Sequence, residues 1–120
     1  VDDREPRIVF TSNWFLNGIS QEYNTSEHGT TSNGATGLFS FNGTSIAVYG
    51  TVPITDDNGP SVSTYTLDNN SPVMYTAQTM TTTQFQTRYY QSGLISDGEH
   101  RLTIKNTSPK PTTYWIDYIL

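Results

Sequence analysis

The sequence predicts an all-β protein: one domain over residues 1–120, folded as a two-sheet antiparallel jelly-roll sandwich of about eight strands. Three observations predict it. Thr recurs throughout, and its branched Cβ favours strands over helices. No segment sustains a 3.6-residue apolar period, and Ala is scarce. Turn signals built from Gly, Pro, Asn and Asp interrupt the chain at short intervals, the spacing of a sandwich or barrel.

The elements follow in order. "RIVFT", near the N-terminus, reads as a strand. "TGLFSFNGTSIAVYGTV" reads as a hairpin, because Asn42-Gly43 suits a two-residue type I′ turn between two alternating strands. Phe39 and Phe41 then share one face of the first strand, and Ile46 and Val48 share one face of the second. "VSTYTLDNNSPVMYTAQ" reads as another hairpin with "DNNS" at its turn. Tyr65 and Leu67 face one way there, matched by Val73, Tyr75 and Ala77, and Pro72 falls at a strand start or sheet edge. In "TQFQTRYYQS" the Phe85, Thr87, Tyr89 alternation suggests an edge strand. "SDGEH" turns the chain into "HRLTIKNT", with Gly98 free to take positive φ. "NTSPKPT" is a loop, and "YWIDYIL" closes the domain. The first and last strands are expected to pair, since domain termini tend to lie close together.

Composition narrows the function. Apolar residues are 33% and charged residues 14%, and aromatics at 12% argue against disorder. The net charge of −5 argues against nucleic acid and anionic membrane surfaces, and is compatible with neutral sugars or a cation. The chain has no Cys, so it holds neither disulfide nor thiolate metal site. Asn-x-Ser/Thr sequons at Asn24, Asn42, Asn69 and Asn106 favour an extracellular setting. No serine-nucleophile elbow, His-Glu-x-x-His pair, P-loop or Cys nucleophile is present, so the chain reads as a non-enzyme.

Taken in sequence, "HGTTSNGATGLFSFNGTSIAVYGTV", "YTLDNN", "YQSGLISDGEHRLTIKNTS" and "YWIDYIL" resemble the ectodomain of fungal single-pass surface proteins. Those ectodomains are assigned to the galactose-binding-domain-like jelly rolls. The resemblance spans nearly the whole chain and implies tethering to a membrane in a longer protein. The wider superfamily includes carbohydrate-binding modules that end in a similar Asp-Tyr-Ile strand. In those modules the terminal-strand Asp and N-terminal acids often hold a structural Ca²⁺. Asp117 matches that Asp, and Asp2 or Asp3 stands where an N-terminal acid is needed. The modules carry Glu-Ala there, which this sequence lacks.

Asp117 is an acid within an aromatic and aliphatic strand. Burying it unpaired costs several kcal/mol. Three partners stay open: Ca²⁺ shared with Asp2 or Asp3, an ion pair with Arg4 or Arg7, or backbone N–H and hydroxyl groups. Alternation puts Ile116, Tyr118 and Leu120 on one face, and Trp115, Asp117 and Ile119 on the other. The acids of "TDDNGP" (Asp56, Asp57) lack the spacing of an EF-hand loop and read as an exposed turn. His28 and His100 have no partner at triad or zinc spacing, and His100 is expected to pack at a strand start.

Sugar recognition needs flat apolar faces beside planar polar groups. Phe39, Phe41, Tyr49, Tyr65 and Trp115 read as core. Trp14, Tyr23, Arg88 and Tyr90 are the candidate ligand-binding residues, with Tyr89 turned inward and Tyr90 outward. The expected function is a non-catalytic, lectin-like extracellular module for cell-wall or glycoprotein glycans. The alternatives are an adhesion ectodomain binding a protein or a second copy of itself, and an accessory domain of a larger secreted enzyme.

Overall fold

The computed structural model describes residues 8–11, 13–17, 27–55, 59–110 and 112–119. Among them run eleven short strands, all paired antiparallel: β1 (Ile8–Phe10), β2 (Phe15–Asn17), β3 (Glu27–Thr30), β4 (Thr36–Asn42), β5 (Ala47–Val52), β6 (Val62–Leu67), β7 (Val73–Thr76), β8 (Gln84–Gln91), β9 (Glu99–Asn106), β10 (Tyr114–Ile116) and β11 (Tyr118–Ile119). One layer is a five-stranded sheet in the order β1-β4-β9-β6-β7. The other is built from two three-stranded sheets, β10-β3-β2 and β11-β5-β8, with β10 running alongside β5. The two layers form a jelly-roll sandwich.

Alternation places the core between the layers. On the five-stranded sheet Ile8, Phe39, Leu102 and Leu67 line up in register on the inner face, and Tyr65 stands opposite Ile104. They meet Val48, Val52, Tyr89, Tyr90, Ile116 and Ile119 from the opposing layer. Leu102, Ile104 and Ile116 are fully enclosed, each worth about 1.5–3 kcal/mol of apolar burial. The tyrosine hydroxyls at the centre of this core are paired. The Tyr65 hydroxyl bridges Ser63 Oγ at 2.8 Å and the Tyr114 hydroxyl at 2.9 Å. Burial pushes the phenols of Tyr65, Tyr89 and Tyr114 far above their ordinary range, so all three stay protonated.

The "DNNS" hairpin forms as expected, with Val73 opposite Tyr65, Tyr75 opposite Ser63, and Pro72 just before β7 at the sheet edge. β8 is an edge strand, also as expected. The Asn42-Gly43 hairpin does not form. β4 pairs with β1 and β9, whereas β5 pairs with β8 and β11, so the turn crosses between layers. Neither Asn42 nor Gly43 takes the positive φ that a type I′ turn requires. The Gly43 N–H instead donates to the Gly98 carbonyl at 3.1 Å. The reason is burial. Phe39 and Phe41 on β4 meet Ile46 and Val48 of the other layer in one buried cluster, so both apolar faces are removed from water.

Nor do the described first and last strands pair with each other: β1 lies on β4, β10 on β3 and β11 on β5. The terminal strand breaks at Asp117, where the chain passes from β3 to β5. Ile116 and Asp117 are buried in succession, and the phase of alternation flips there. Ile116 and Ile119 therefore point into the core, while Trp115 and Tyr118 are only half-buried. The strict alternation expected through "YWIDYIL" fails for that reason, and so does the expected core position of Trp115.

Candidate functional site

A concavity among the described residues opens between the edge strands β7 and β8. Its volume is about 380 Å³, and Val52, Tyr75, Gln78, Met80, Gln84 and Thr87 line it. Its back wall comes from the core strands. Tyr75 points inward from an edge with no further strand to cover it, so its ring is only half-buried, at 5.2 Å from the ring of Tyr89. That partial burial raises its phenol pKa.

The lip is the irregular run after β7, which backbone bonds fix in place. The Ala77 N–H donates to the Ser61 carbonyl at 2.9 Å. Met80 is held by Thr55 twice: the Met80 N–H donates to Thr55 Oγ1 at 2.8 Å, and the Thr55 N–H donates to the Met80 carbonyl at 3.0 Å. On the far side, β8 is bulged against β5 between Gly50 and Val52, and Gln86 adopts a φ of 50°. This irregularity re-aims the strand at the groove, as bulges commonly do. The described lining thus combines one aromatic ring, two carboxamides, a hydroxyl and two apolar walls, with no charge. Such a surface can stack on a pyranose face and exchange hydrogen bonds with hydroxyls.

A smaller recess of about 160 Å³ lies on the outer face of β5 and β8, lined by Ser45, Ile46, Ala47, Tyr49, Arg88 and Gln91. Tyr118, Tyr49 and Arg88 form a row across β11, β5 and β8. The two tyrosine rings stack at 4.7 Å and 5°. Arg88 donates from Nη1 to Gln91 Oε1 at 2.6 Å. Tyr49 was expected in the core and instead stands on this outer face. The signal was in the sequence: if Ile46 and Val48 point inward, Tyr49 must point out.

Of the candidate ligand residues, Arg88 is exposed as expected. Tyr90 is not: it is 9% exposed and stacks on Tyr65 at 5.2 Å. A register shift makes Val48 oppose Tyr90 while Tyr49 opposes Arg88, so Tyr89 is the extra residue and both tyrosines turn inward. Trp14 is half-buried, its Nε1 donating to the Thr36 carbonyl at 3.1 Å and its ring edge-on to Tyr114 at 5.9 Å. It packs as a flank of the core. Tyr23, and the loop acids Asp56 and Asp57, lie outside the described residues.

Asp117 is fully buried and Glu27 nearly so. One step beyond the Ile116–His28 pair, they stand at corresponding positions of the two strands. Both are engaged by neighbouring groups, and both help burial raise the Tyr89 phenol. Two buried carboxylates are hard oxygen donors of the kind Ca²⁺ takes. No cluster of three potential metal ligands exists among the described residues, and Asp2 and Asp3 lie outside them. These two carboxylates fit Ca²⁺ in donor type.

The histidines are structural in their contacts. His28 stacks on Phe10 at 4.1 Å. His100, at the start of β9, holds Asp68 Oδ2 through Nδ1 and the Ser96 carbonyl through Nε2, both at 2.7 Å. With both ring nitrogens occupied, this pair is not poised as a general base.

No protein-family model matches the sequence, and no curated protein matches it. Solved structures do. A two-domain esterase active on acetylated mannans superposes with a TM-score of 0.72 at 11% identity, over 99% of this chain and 34% of that one. A family two carbohydrate esterase from Cellvibrio japonicus gives 0.60 at 16% identity, over 99% and 31%. A GH26-CBM35 β-(1,4)-mannanase from Podospora anserina gives 0.65 at 11%, over 99% and 26%. The chain spans about a quarter to a third of the length of these proteins. At such identities the likeness is one of fold: this chain shares a β-sandwich with a part of each of these proteins.

Proposed function

We propose that this domain is a non-catalytic, extracellular carbohydrate-binding module that holds a neutral glycan in the Tyr75 groove. The observation that carries this reading is the groove's uncharged described lining, with Tyr75 beside Gln78, Gln84 and Thr87 in about 380 Å³. That volume falls in the range of small-ligand sites. The fold likeness to an esterase and a mannanase that act on polysaccharides supports a sugar ligand. The resemblance to fungal surface ectodomains supports a position at the cell surface. Arg88 and Tyr49 offer a second, shallower contact on the outer face.

The test is titration with soluble neutral polysaccharides and a glycan array. Tyr75→Ala is expected to weaken the best ligand by about 10- to 100-fold, the loss of one stacked aromatic. Gln84→Ala is expected to weaken it by about 2- to 10-fold, the loss of one hydrogen bond. Absence of glycan binding, or binding indifferent to both changes, sinks the reading.

A second reading rests on the edge of the five-stranded sheet. β7 leaves Val73 and Met74 exposed at 52% and 68% on an uncovered strand. An adhesion domain would use such an edge to pair with a second copy. Sedimentation separates the readings: a stable dimer abolished by Met74→Lys supports adhesion, and a monomer supports the module.

A further inference from the structure

The described sequons differ sharply in their surroundings. Asn106 is fully buried at the end of β9. Its Nδ2 donates to the Ser32 carbonyl at 3.1 Å, and its Oδ1 accepts from the Ser108 N–H at 3.2 Å and Ser108 Oγ at 2.7 Å. Ser108 is the hydroxyl residue of the same sequon, and it also receives the Val62 N–H at 2.9 Å. A glycan on Nδ2 would displace the Ser32 bond and have no path to solvent. Asn42 and Asn69 are exposed, and so are their sequon hydroxyl residues Thr44 and Ser71.

Position adds a second distinction. Asn42 pairs with Glu99 at the start of β9. On the other side of that start, Asp68, next to Asn69, donates its N–H to the Arg101 carbonyl at 2.7 Å. Asn42 and Asn69 therefore flank one pole of the sandwich. The opposite pole holds Asn106, opposite Ser63, whose other neighbour is Tyr75 of the groove. Glu99 and Asn106 are the two ends of the eight-residue β9, about 23 Å apart for seven steps at ~3.3 Å per residue.

We propose that Asn42 and Asn69 are acceptor sites for N-linked glycans and that Asn106 is excluded. The sugars on these two residues then crown the pole remote from the Tyr75 groove. Modification in the native setting rests on the extracellular reading above; the acceptor assignment rests only on geometry.

The test is secretion of the whole chain from a eukaryotic host, followed by enzymatic release of N-glycans in ¹⁸O water and mass spectrometry of the peptides. Expected are labelled Asp at positions 42 and 69 and unlabelled Asn at 106. Asn42→Gln and Asn69→Gln each remove one glycan step on a gel and leave the melting temperature unchanged. A labelled position 106 in folded, secreted protein overturns the proposal, as does the absence of label at both 42 and 69. The same peptides from the native source read the extracellular setting separately: bare sites there, with occupied sites in the host, count against that setting and leave the acceptor assignment standing.

Discussion

The Asp117 backbone N–H donates to the Tyr49 carbonyl at 2.9 Å. This bond lies where the terminal strand leaves β3 and joins β5, so one residue joins the two halves of a layer. The Asp117 carboxylate is enclosed but engaged by neighbouring groups, which offsets the cost of burying an acid there.

Gly50 is adjacent to this crossing. A Cβ there would collide with the Trp115 backbone carbonyl and approach the Tyr89 ring and hydroxyl to 2.5 and 2.6 Å. Backbone cannot move aside cheaply. Gly50→Ala is expected to destabilise by at least about 3 kcal/mol. Gly34→Ala has open space but a φ of 92°, and is expected to cost only about 1–2 kcal/mol of backbone strain. Denaturant melts of the two variants check the order, and equal costs would refute the packing argument.

The Ca²⁺ proposal concerns Asp117 with Asp2 or Asp3. EDTA is expected to lower the melting temperature by several degrees, and added Ca²⁺ to restore it. Asp117→Asn is expected to destabilise and to abolish the EDTA response. If EDTA changes nothing and the Asn variant melts like the parent, the metal reading is excluded.

The Asp68–His100 pair makes stability depend on pH. The hydrogen bond to Asp68, and then the Ser96 carbonyl, raise the His100 pKa above 6.5. The bond from His100, and then the Arg101 N–H, lower the Asp68 pKa below 3.8. The His contribution is complete below its unfolded pKa and is lost as pH rises through the raised folded value. The Asp contribution is present above its unfolded pKa and is lost as pH falls through the lowered one. The pair should help most between about pH 4 and 6.5. His100→Gln should flatten melting temperature against pH on the alkaline side of that window, and a profile identical to the parent would remove the pair from the account.

Tyr65 joins Ser63 and Tyr114 through one hydroxyl in the dry core. Tyr65→Phe preserves the ring but strips both partners of a bond, so about 1–3 kcal/mol is expected. The parent's buried phenols should ionise only as the protein unfolds in alkali. Ultraviolet titration that shows early, reversible ionisation of all eight tyrosines would contradict this packing.

Sequence alone determined what depends on neighbouring residues. Thr-rich alternation and frequent turns made the chain all-β, and "DNNS" fixed the β6–β7 hairpin with Tyr65 facing Val73. The phases of Ile46 and Val48 already implied an outward Tyr49, and Asp117 stood out as an oddity in its strand. Tertiary structure decided which strands became partners. Asn42-Gly43 favoured a hairpin locally, yet apolar faces on both sides of the turn were buried together across the core, with β4 and β5 in different layers. Tyr90 turned inward because β8 bulges at Tyr89 where it pairs with β5. The Tyr75 groove exists because edge strands of two different sheets, β7 and β8, come together beside a pinned loop. Alternation and turn chemistry act over a few residues, whereas sheet partnership, bulges and concavities follow from burial between segments far apart in the chain.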